Sequence, residues 1–309
     1  MAETILRQTI IMLILILVGV LCAKTKIISK DTNKQLSTFV LQIVNPVLIL
    51  MSFQKEYRPE LAKNLLVTFG LSLLVFIVMI LLSLVLVRKG EEKDTAVERF
   101  AATYSNCAFM GIPLIQSLYG SEGVFYLTAF ITVFNFFVWT HGVIMLSGQR
   151  NMKEVVKVFY SPTIIAIAVG IVTFFFRISF PEIPKTAMQF IADMNTPLAM
   201  IVSGVTISQT NILKMLKKGG VYYICLLKLL VIPLAATLVL SLFDIDEKVR
   251  LTVIIAAAAP PAAMGTMLSL KYGKNSIYSS EIFTAGTILS IGSMPLIVKI
   301  AEKIGYLLA

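Results

Sequence analysis

Charge is scarce in this sequence. Only 14% of its 309 residues are Asp, Glu, Lys or Arg, where a soluble domain carries nearer a quarter. Histidine occurs once, at His141, tryptophan once, at Trp139, and cysteine three times. Cys22, Cys107 and Cys225 each fall inside an apolar run, which implies neither a disulfide framework nor a metal site. No nucleophile–base–orienter set, phosphate loop or metal-spaced ligand cluster occurs, so the chain is expected to be no enzyme and to need no cofactor. Segments of roughly ten residues alternating polar and apolar are also missing, which excludes a membrane β-barrel. Linkers are lacking, and the loops are about ten residues at most. The first apolar run makes a poor signal peptide, since Glu3 accompanies Arg7 and no small-residue cleavage pattern precedes Lys24.

What is abundant is apolar sequence: 57% of the residues are hydrophobic and the mean hydropathy is +0.87. No soluble core hides that much, so an all-α, multi-pass protein of the lipid bilayer is expected. Helices need roughly 20 residues each to cross about 30 Å of hydrocarbon. Ten spans fit, near 5–23, 34–53, 62–87, 97–118, 122–147, 160–179, 185–207, 219–243, 249–271 and 277–300. Ten spans put both termini on one side. That side carries ten Lys and Arg, among them Lys55, Arg58, Arg177 and Lys185. The other carries sixteen, including Lys89, Lys93, Arg150, Lys153, Lys157 and the clusters 24–34 and 214–218. Basic residues mark the cytoplasmic side, so both termini are expected to lie outside a cell (inner) membrane. The clusters suit anionic headgroups, and the net charge of +10 reads as topology rather than a nucleic-acid footprint.

Two apolar segments are interrupted where a membrane centre should lie. Ala101 to Pro113, running on to Tyr119-Gly120, is one. Ala256 to Gly265, containing Pro260-Pro261 and running on to Tyr272-Gly273, is the other. Proline removes a backbone hydrogen bond and displaces the carbonyl four residues earlier. In hydrocarbon such a break persists only inside protein or beside a polar cavity. The halves also align: Lys34 to Pro46 matches Lys185 to Pro197 in length, placing Phe39 on Phe190 and Ser52 on Ser203. Five spans per repeat is odd, so 1–150 and 151–309 are expected as inverted repeats, a transporter architecture.

The candidate site residues follow from these breaks. Asn106, Gly111 and Pro113 belong together: Gly111 removes bulk where another helix crosses, and Asn106 serves loosened backbone or a ligand. The half-helix beyond the break offers partial positive charge to a carboxylate. Pro260 and Pro261 carry the same argument; a ligand-free kink is the alternative. Asn45-Pro46 and Asn195-Thr196-Pro197 lie mid-span, where Asn45 and Thr196 either face substrate or satisfy a kink. Lys228 lies near the bilayer centre, where an isolated lysine costs about 2.5–3.5 kcal/mol, so it needs a partner or polar cavity. Asp193 enters from the opposite face to a depth within about 5 Å of Lys228. The two are expected either to pair as a state-dependent latch or to divide anion attraction and proton coupling. A lysine bonded to carbonyls at an opened helix is the bland alternative. His141 is either a proton carrier or an interfacial hydrogen-bonding group, Trp139 an interfacial anchor, and Glu281 is expected to reach the interface.

The run Asn106-Cys-Ala-Phe-Met-Gly-Ile-Pro-Leu-Ile-Gln-Ser-Leu-Tyr-Gly120 resembles the signature of the auxin efflux carrier family, plant PIN exporters and bacterial small-carboxylate permeases. The resemblance continues through Phe134-Asn135-Phe136, Asn45-Pro46, Lys228 to Pro233 and Ala259-Pro260-Pro261. It implies ten helices crossed at helices 4 and 9, the arrangement also of NhaA and the bile-acid symporters. It further implies a homodimer with a scaffold of helices 1, 2, 6 and 7, and a moving domain of helices 3–5 and 8–10. Substrate would bind near Pro113 and Pro260. The long cytoplasmic loop and the acidic third span of some plant members are absent. The expected function is elevator-type secondary transport of a small organic anion: a mono- or dicarboxylate such as malate, or an auxin-like acid. With Asp193 the one deep acid, proton coupling or uniport is expected. A sodium-coupled symporter of the bile-acid type and a non-transporting ligand sensor are the alternatives.

Overall fold

A computed structural model describes residues 2–88, 95–148 and 160–308. Lys89, Lys93, Arg150, Lys153, Lys157 and most of the loop between Ser147 and Phe159 lie outside the described residues. The described chain is helical, with no extended pairing beyond one isolated bridge. In order the helices are α1 (Ala2–Lys24), α2 (Lys30–Ser52), α3 (Pro59–Leu86), α4 (Thr95–Thr103), α5 (Cys107–Ser147) and α6 (Pro162–Phe175). They continue as α7 (Glu182–Ser208), α8 (Ile212–Met215), α9 (Gly219–Leu240), α10 (Glu247–Ala258), α11 (Met264–Lys271) and α12 (Ser276–Leu308).

Among the described residues seven of these, α1, α2, α3, α5, α7, α9 and α12, are long and apolar enough to cross a membrane. The three remaining expected spans do not form single long helices, for local reasons. The sixth is the 14-residue α6. The ninth is cut into α10 and α11, and the fourth into α4 and the first limb of α5. α5 itself runs for 41 residues only because it turns at Gly120, whose φ of 57° and ψ of −147° suit a residue without Cβ.

Prolines act in two ways. Three widened, π-type turns, Val40–Val44, Cys107–Gly111 and Leu227–Val231, each end two residues before a proline: Pro46, Pro113 and Pro233. The wider turn absorbs the missing N–H and the ring's clash with the preceding turn, so the helix continues. Pro113 is therefore not at the break. The chain leaves helical geometry earlier, between Thr103 and Cys107, whereas in the second half the break coincides with Pro260-Pro261.

The outer faces are apolar, with Leu17 and Leu21 on α1 and Leu66, Leu81 and Val85 on α3 exposed. Asn45, Asn106, Asn195, Lys228 and Glu281 are buried. That inversion suits a protein solvated by lipid. Glu281, in the second turn of α12, is 3% exposed and bonded at 2.6 Å to the half-exposed Lys218 just before α9. α1 lies against the second half of α7 through small residues, as membrane helices do. A Cβ on Gly19 would strike the carbonyl of Ile201, and one on Gly204 the carbonyl of Ile16.

Candidate functional site: a crossing of two broken helices

The two breaks meet. Between Thr103 and Cys107 on one side and Ala258 and Met264 on the other, the backbone is extended and pairs antiparallel at Ser105 and Pro261. The amide of Asn106 donates to the carbonyl of Pro260 at 2.7 Å, and that of Ala262 to Tyr104 at 2.9 Å. Each break thus satisfies groups freed by the other, as hydrocarbon requires. Close approach depends on Gly286 of α12, where a Cβ would collide with the Pro261 ring. Gly111 does not play that part, since a Cβ there would meet only the Cys107 side chain at an ordinary 3.6 Å.

The crossing has two electrically distinct sides. α4 and α10 both end there, and unpaired carbonyls at a helix C-terminus carry partial negative charge. Lys228, fully buried in the widened turn of α9, lies on that side. Its ammonium donates to Ser105 Oγ at 2.6 Å, to the Ala257 carbonyl at 3.2 Å and to that of Thr103 at 3.4 Å. Ser105 Oγ itself donates to Ala257 at 3.0 Å. Lys228 is thus bonded to carbonyls at an opened helix. Asp193 is not among its partners: that carboxylate is exposed and accepts from Gln189 Nε2 at 2.7 Å. No latch between them exists in this conformation.

On the other side α5 and α11 begin, and a cavity of about 240 Å³ opens. Its wall includes Asn45, Ser105, Asn106 and Ala262 to Met264, together with Gln42, Phe109, Phe134, Asn135 and Trp139. Among the described residues no charged side chain lines it. Asn45 accepts a hydrogen bond from Asn195, tying α2 to α7. Asn106 is buried and its Nδ2 has no partner among the described residues. A buried amide donor left unpaired is costly, and an acceptor brought to it would satisfy it. Ser37, Ser161 to Thr163 and Met267 extend the cavity toward the end of the molecule away from the termini. Phe53, Phe125 and Phe174, all fully buried and in edge or tilted contact at 5.0 Å, cluster beyond the wall on the side of the termini, Phe53 one turn past the wall residue Ile49.

The site-residue expectations are therefore gathered unevenly. Asn45, Asn106, Pro260 and Pro261 converge on the crossing and its cavity. Gly111 and Pro113 lie one to two turns along α5, buried but outside the cavity wall, and Thr196 is half-buried outside it. His141 meets Tyr104, which donates to the Phe137 carbonyl at 2.9 Å and lies 2.9 Å from His141 Nδ1. Sequence reading passed over Ser105, Gln42 and Phe109. Ser105 alone carried a signal, as a polar residue inside the interrupted run.

A family model described as membrane transport protein matches residues 4–163 and 151–298. The chain belongs to this family, which includes the auxin efflux carriers. Two relatives of this membrane transport protein are similar over nearly all of it. A Rhizobium meliloti (strain 1021) protein named "Putative malonate transporter" is 23% identical over 292 residues, 91% of this chain and 90% of that one. An "Uncharacterized transporter" of Methanothermobacter thermautotrophicus is 24% identical over 304 residues, 92% and 94% of the two chains.

Proposed function

We propose that this membrane transport protein is a secondary transporter of a small dicarboxylate of malonate or malate size, bound beside the crossing. The unpartnered amide of Asn106, a residue of the cavity wall, carries the reading. The amide donates to one carboxylate, and the helix beginnings of α5 and α11 supply partial positive charge, as in other broken-helix transporters. Drug-sized ligands occupy about 300–1,000 Å³, so 240 Å³ suits a metabolite of a few carbons. Among the described residues the wall carries no carboxylate to repel an anion. The name of the Rhizobium relative points to the same substrate class.

The cavity lies between two groups of helices, which supports alternating access of the elevator kind. α2 and α6 bound it on one side and the crossing with the second limb of α5 on the other. In this reading ten spans form two inverted repeats, 1–150 and 151–309. Spans 1, 2, 6 and 7 are the scaffold of a homodimer, and 3–5 with 8–10 the moving domain. Both termini lie outside the cell membrane, so the cavity faces the cytoplasm with the Phe53–Phe125–Phe174 plug closed behind it. Transport is a uniport or is proton-coupled. Asp193, on the scaffold surface, is the candidate proton carrier, and Lys228 secures the crossing.

Uptake of labelled malonate and malate into liposomes, with imposed proton or sodium gradients, tests this. Asn106→Ala should abolish uptake while the protein remains monodisperse. Wild-type uptake by that variant would remove Asn106 from the site, and binding without uptake under any gradient would favour a sensor.

A further inference from the structure

A second, larger cavity lies at the end of the molecule that carries the termini, between the loop after α2 and the loop joining α6 to α7. It encloses about 440 Å³, and Gln54, Lys55, Tyr57, Arg177 and Lys185 line it, with Glu56 as its one acid. None of the three cations forms an ion pair among the described residues. The loops are clasped by Gln54, which accepts from the Phe180 amide at 2.9 Å and donates to Thr173 at 3.2 Å. Burial holds the Lys55 ammonium below the ordinary lysine range, against the attraction of Glu122 and helped by Arg58 and Lys248.

Arg177 occupies a costly position. It follows the end of α6 with φ of 57°, and the amides of Arg177 and Ile178 bond back to Phe174 and Thr173 at 3.2 and 2.8 Å. This helix-ending motif calls for a left-handed residue, normally glycine. Gly148 and Gly273 take that conformation after α5 and α11. Among the described residues the two non-glycine residues with positive φ are Lys26 and Arg177, and only Arg177 lines either cavity. Its guanidinium stands 5.1 Å over the Tyr57 ring. Tyr57 in turn meets Phe174 at 5.3 Å, and Phe174 belongs to the Phe53–Phe125–Phe174 cluster. A strained arginine retained where glycine fits better argues that the guanidinium is used.

We propose that this cavity is a second anion site, which holds a small dicarboxylate between Lys55, Arg177 and Lys185 directly above the closed aromatic plug. Two carboxylates separated by a short linker match cations contributed by two different loops, with the guanidinium able to grip one of them through paired N–H groups. The inference rests on the carboxylate class and orientation of the proposed transport function. It adds a place where substrate collects on the outer side before the plug opens.

Calorimetric titration of malonate into the detergent-purified full chain, without anionic lipid, should show two binding events. Lys55→Gln/Arg177→Gln/Lys185→Gln should delete one, the more salt-sensitive, and leave the Asn106-dependent event, which also reports an intact fold. Arg177→Gly separates use from structure: it should weaken the outer event at least tenfold while its thermal midpoint is no lower than wild type. Unchanged outer binding in both variants overturns the proposal. So does the finding, in nanodiscs with and without phosphatidylglycerol, that the three cations retain only that lipid and no malonate. Conversely, two unaltered events in Asn106→Ala would sink the inner site and leave the outer one standing.

Discussion

Replacing Lys228 with methionine should loosen the crossing rather than remove a ligand contact. The substitution keeps length and volume but deletes an ammonium that reaches Ser105 at 2.6 Å, Ala257 at 3.2 Å and Thr103 at 3.4 Å. A hydrogen bond from a charged donor is worth about 1.5–3 kcal/mol, and an orphaned buried carbonyl costs about 1–3 kcal/mol. Ala257 keeps the Ser105 hydroxyl at 3.0 Å, so its carbonyl is not orphaned. Thr103 loses its side-chain donor, and Ser105 Oγ loses its shortest contact. Counting one strong bond and two long ones gives a gross loss of roughly 4 kcal/mol. Relief of burying an ammonium offsets about 2.5–3.5 kcal/mol of it. The net destabilisation is therefore about 0.5–1.5 kcal/mol, or roughly 1–2 °C in thermal midpoint on the scaling of soluble domains.

Monodispersity after heating, read by size-exclusion chromatography in detergent, measures that midpoint. A cycle with Ser105→Ala should give a coupling of at least about 1 kcal/mol, because the two side chains touch. If Lys228 held the anion itself, the unliganded midpoint would stay put and malonate binding would vanish. A Lys228→Met protein no less stable than wild type, or one additive with Ser105→Ala, refutes the account of Lys228 as the brace of the crossing.

Three further outcomes are expected. Asp193→Asn combined with Lys228→Met should be additive in thermal midpoint within about 0.5 kcal/mol, since the carboxylate is bonded to Gln189 and not to the ammonium; a larger coupling would restore a latch between them. Gly204→Ala should sharply reduce the yield of monodisperse protein because its Cβ strikes backbone of Ile16, while Gly70→Ala, with nothing within 4 Å, should leave it unchanged. Equal yields would mean that α1 and α7 are not held by that contact. Lys55, held below the usual lysine range by burial, keeps its charge at low pH and loses it as pH rises through the lowered value. With Glu56, Glu122, Arg58, Arg177, Lys185 and Lys248 around it, malonate binding at the outer cavity should therefore decline on the alkaline side earlier than for an ordinary lysine. Lys55→Arg should remove that early decline, and an identical profile in the variant would exclude Lys55.

Much of this was legible in the sequence because hydrocarbon imposes strict rules. Scarce charge and long apolar runs identify a helical membrane protein, and the paired interruptions near 101–113 and 256–265 mark the segments that cross. Asn106 is readable as a polar side chain inside an interrupted run. The rest depends on distance in sequence. Ser105 and Lys228 are 123 residues apart, and Asn45 and Asn195 150 apart, so no local pattern announces either pairing. Proline alone also cannot distinguish a break from a widened turn: Pro113 continues a helix, while Pro260 and Pro261 stand in extended backbone. The glycine that admits the crossing is Gly286, in a different helix from either break. Depth arithmetic set Asp193 level with Lys228 but carries no information about which way each helix faces.

In the proposed reading, the division of charge at the crossing lets an anion be held without a cation among the described residues of the wall. Two helices end and two begin at one point, so the backbone alone creates a negative side and a positive side within a few residues. Left uncompensated, the negative side would oppose an approaching carboxylate through the same low-dielectric medium. Lys228 is bonded there, behind Ser105 and away from the open cavity, and cancels it. The positive side stays free for ligand, with neutral polar and apolar side chains around it among the described residues. A full ammonium or guanidinium in that wall would hold a dicarboxylate more tightly, and tight binding in one state raises the barrier to release in the next. The cations that face solvent, Lys55, Arg177 and Lys185, stand instead in the larger cavity beyond the plug, where collecting an anion need not slow its passage.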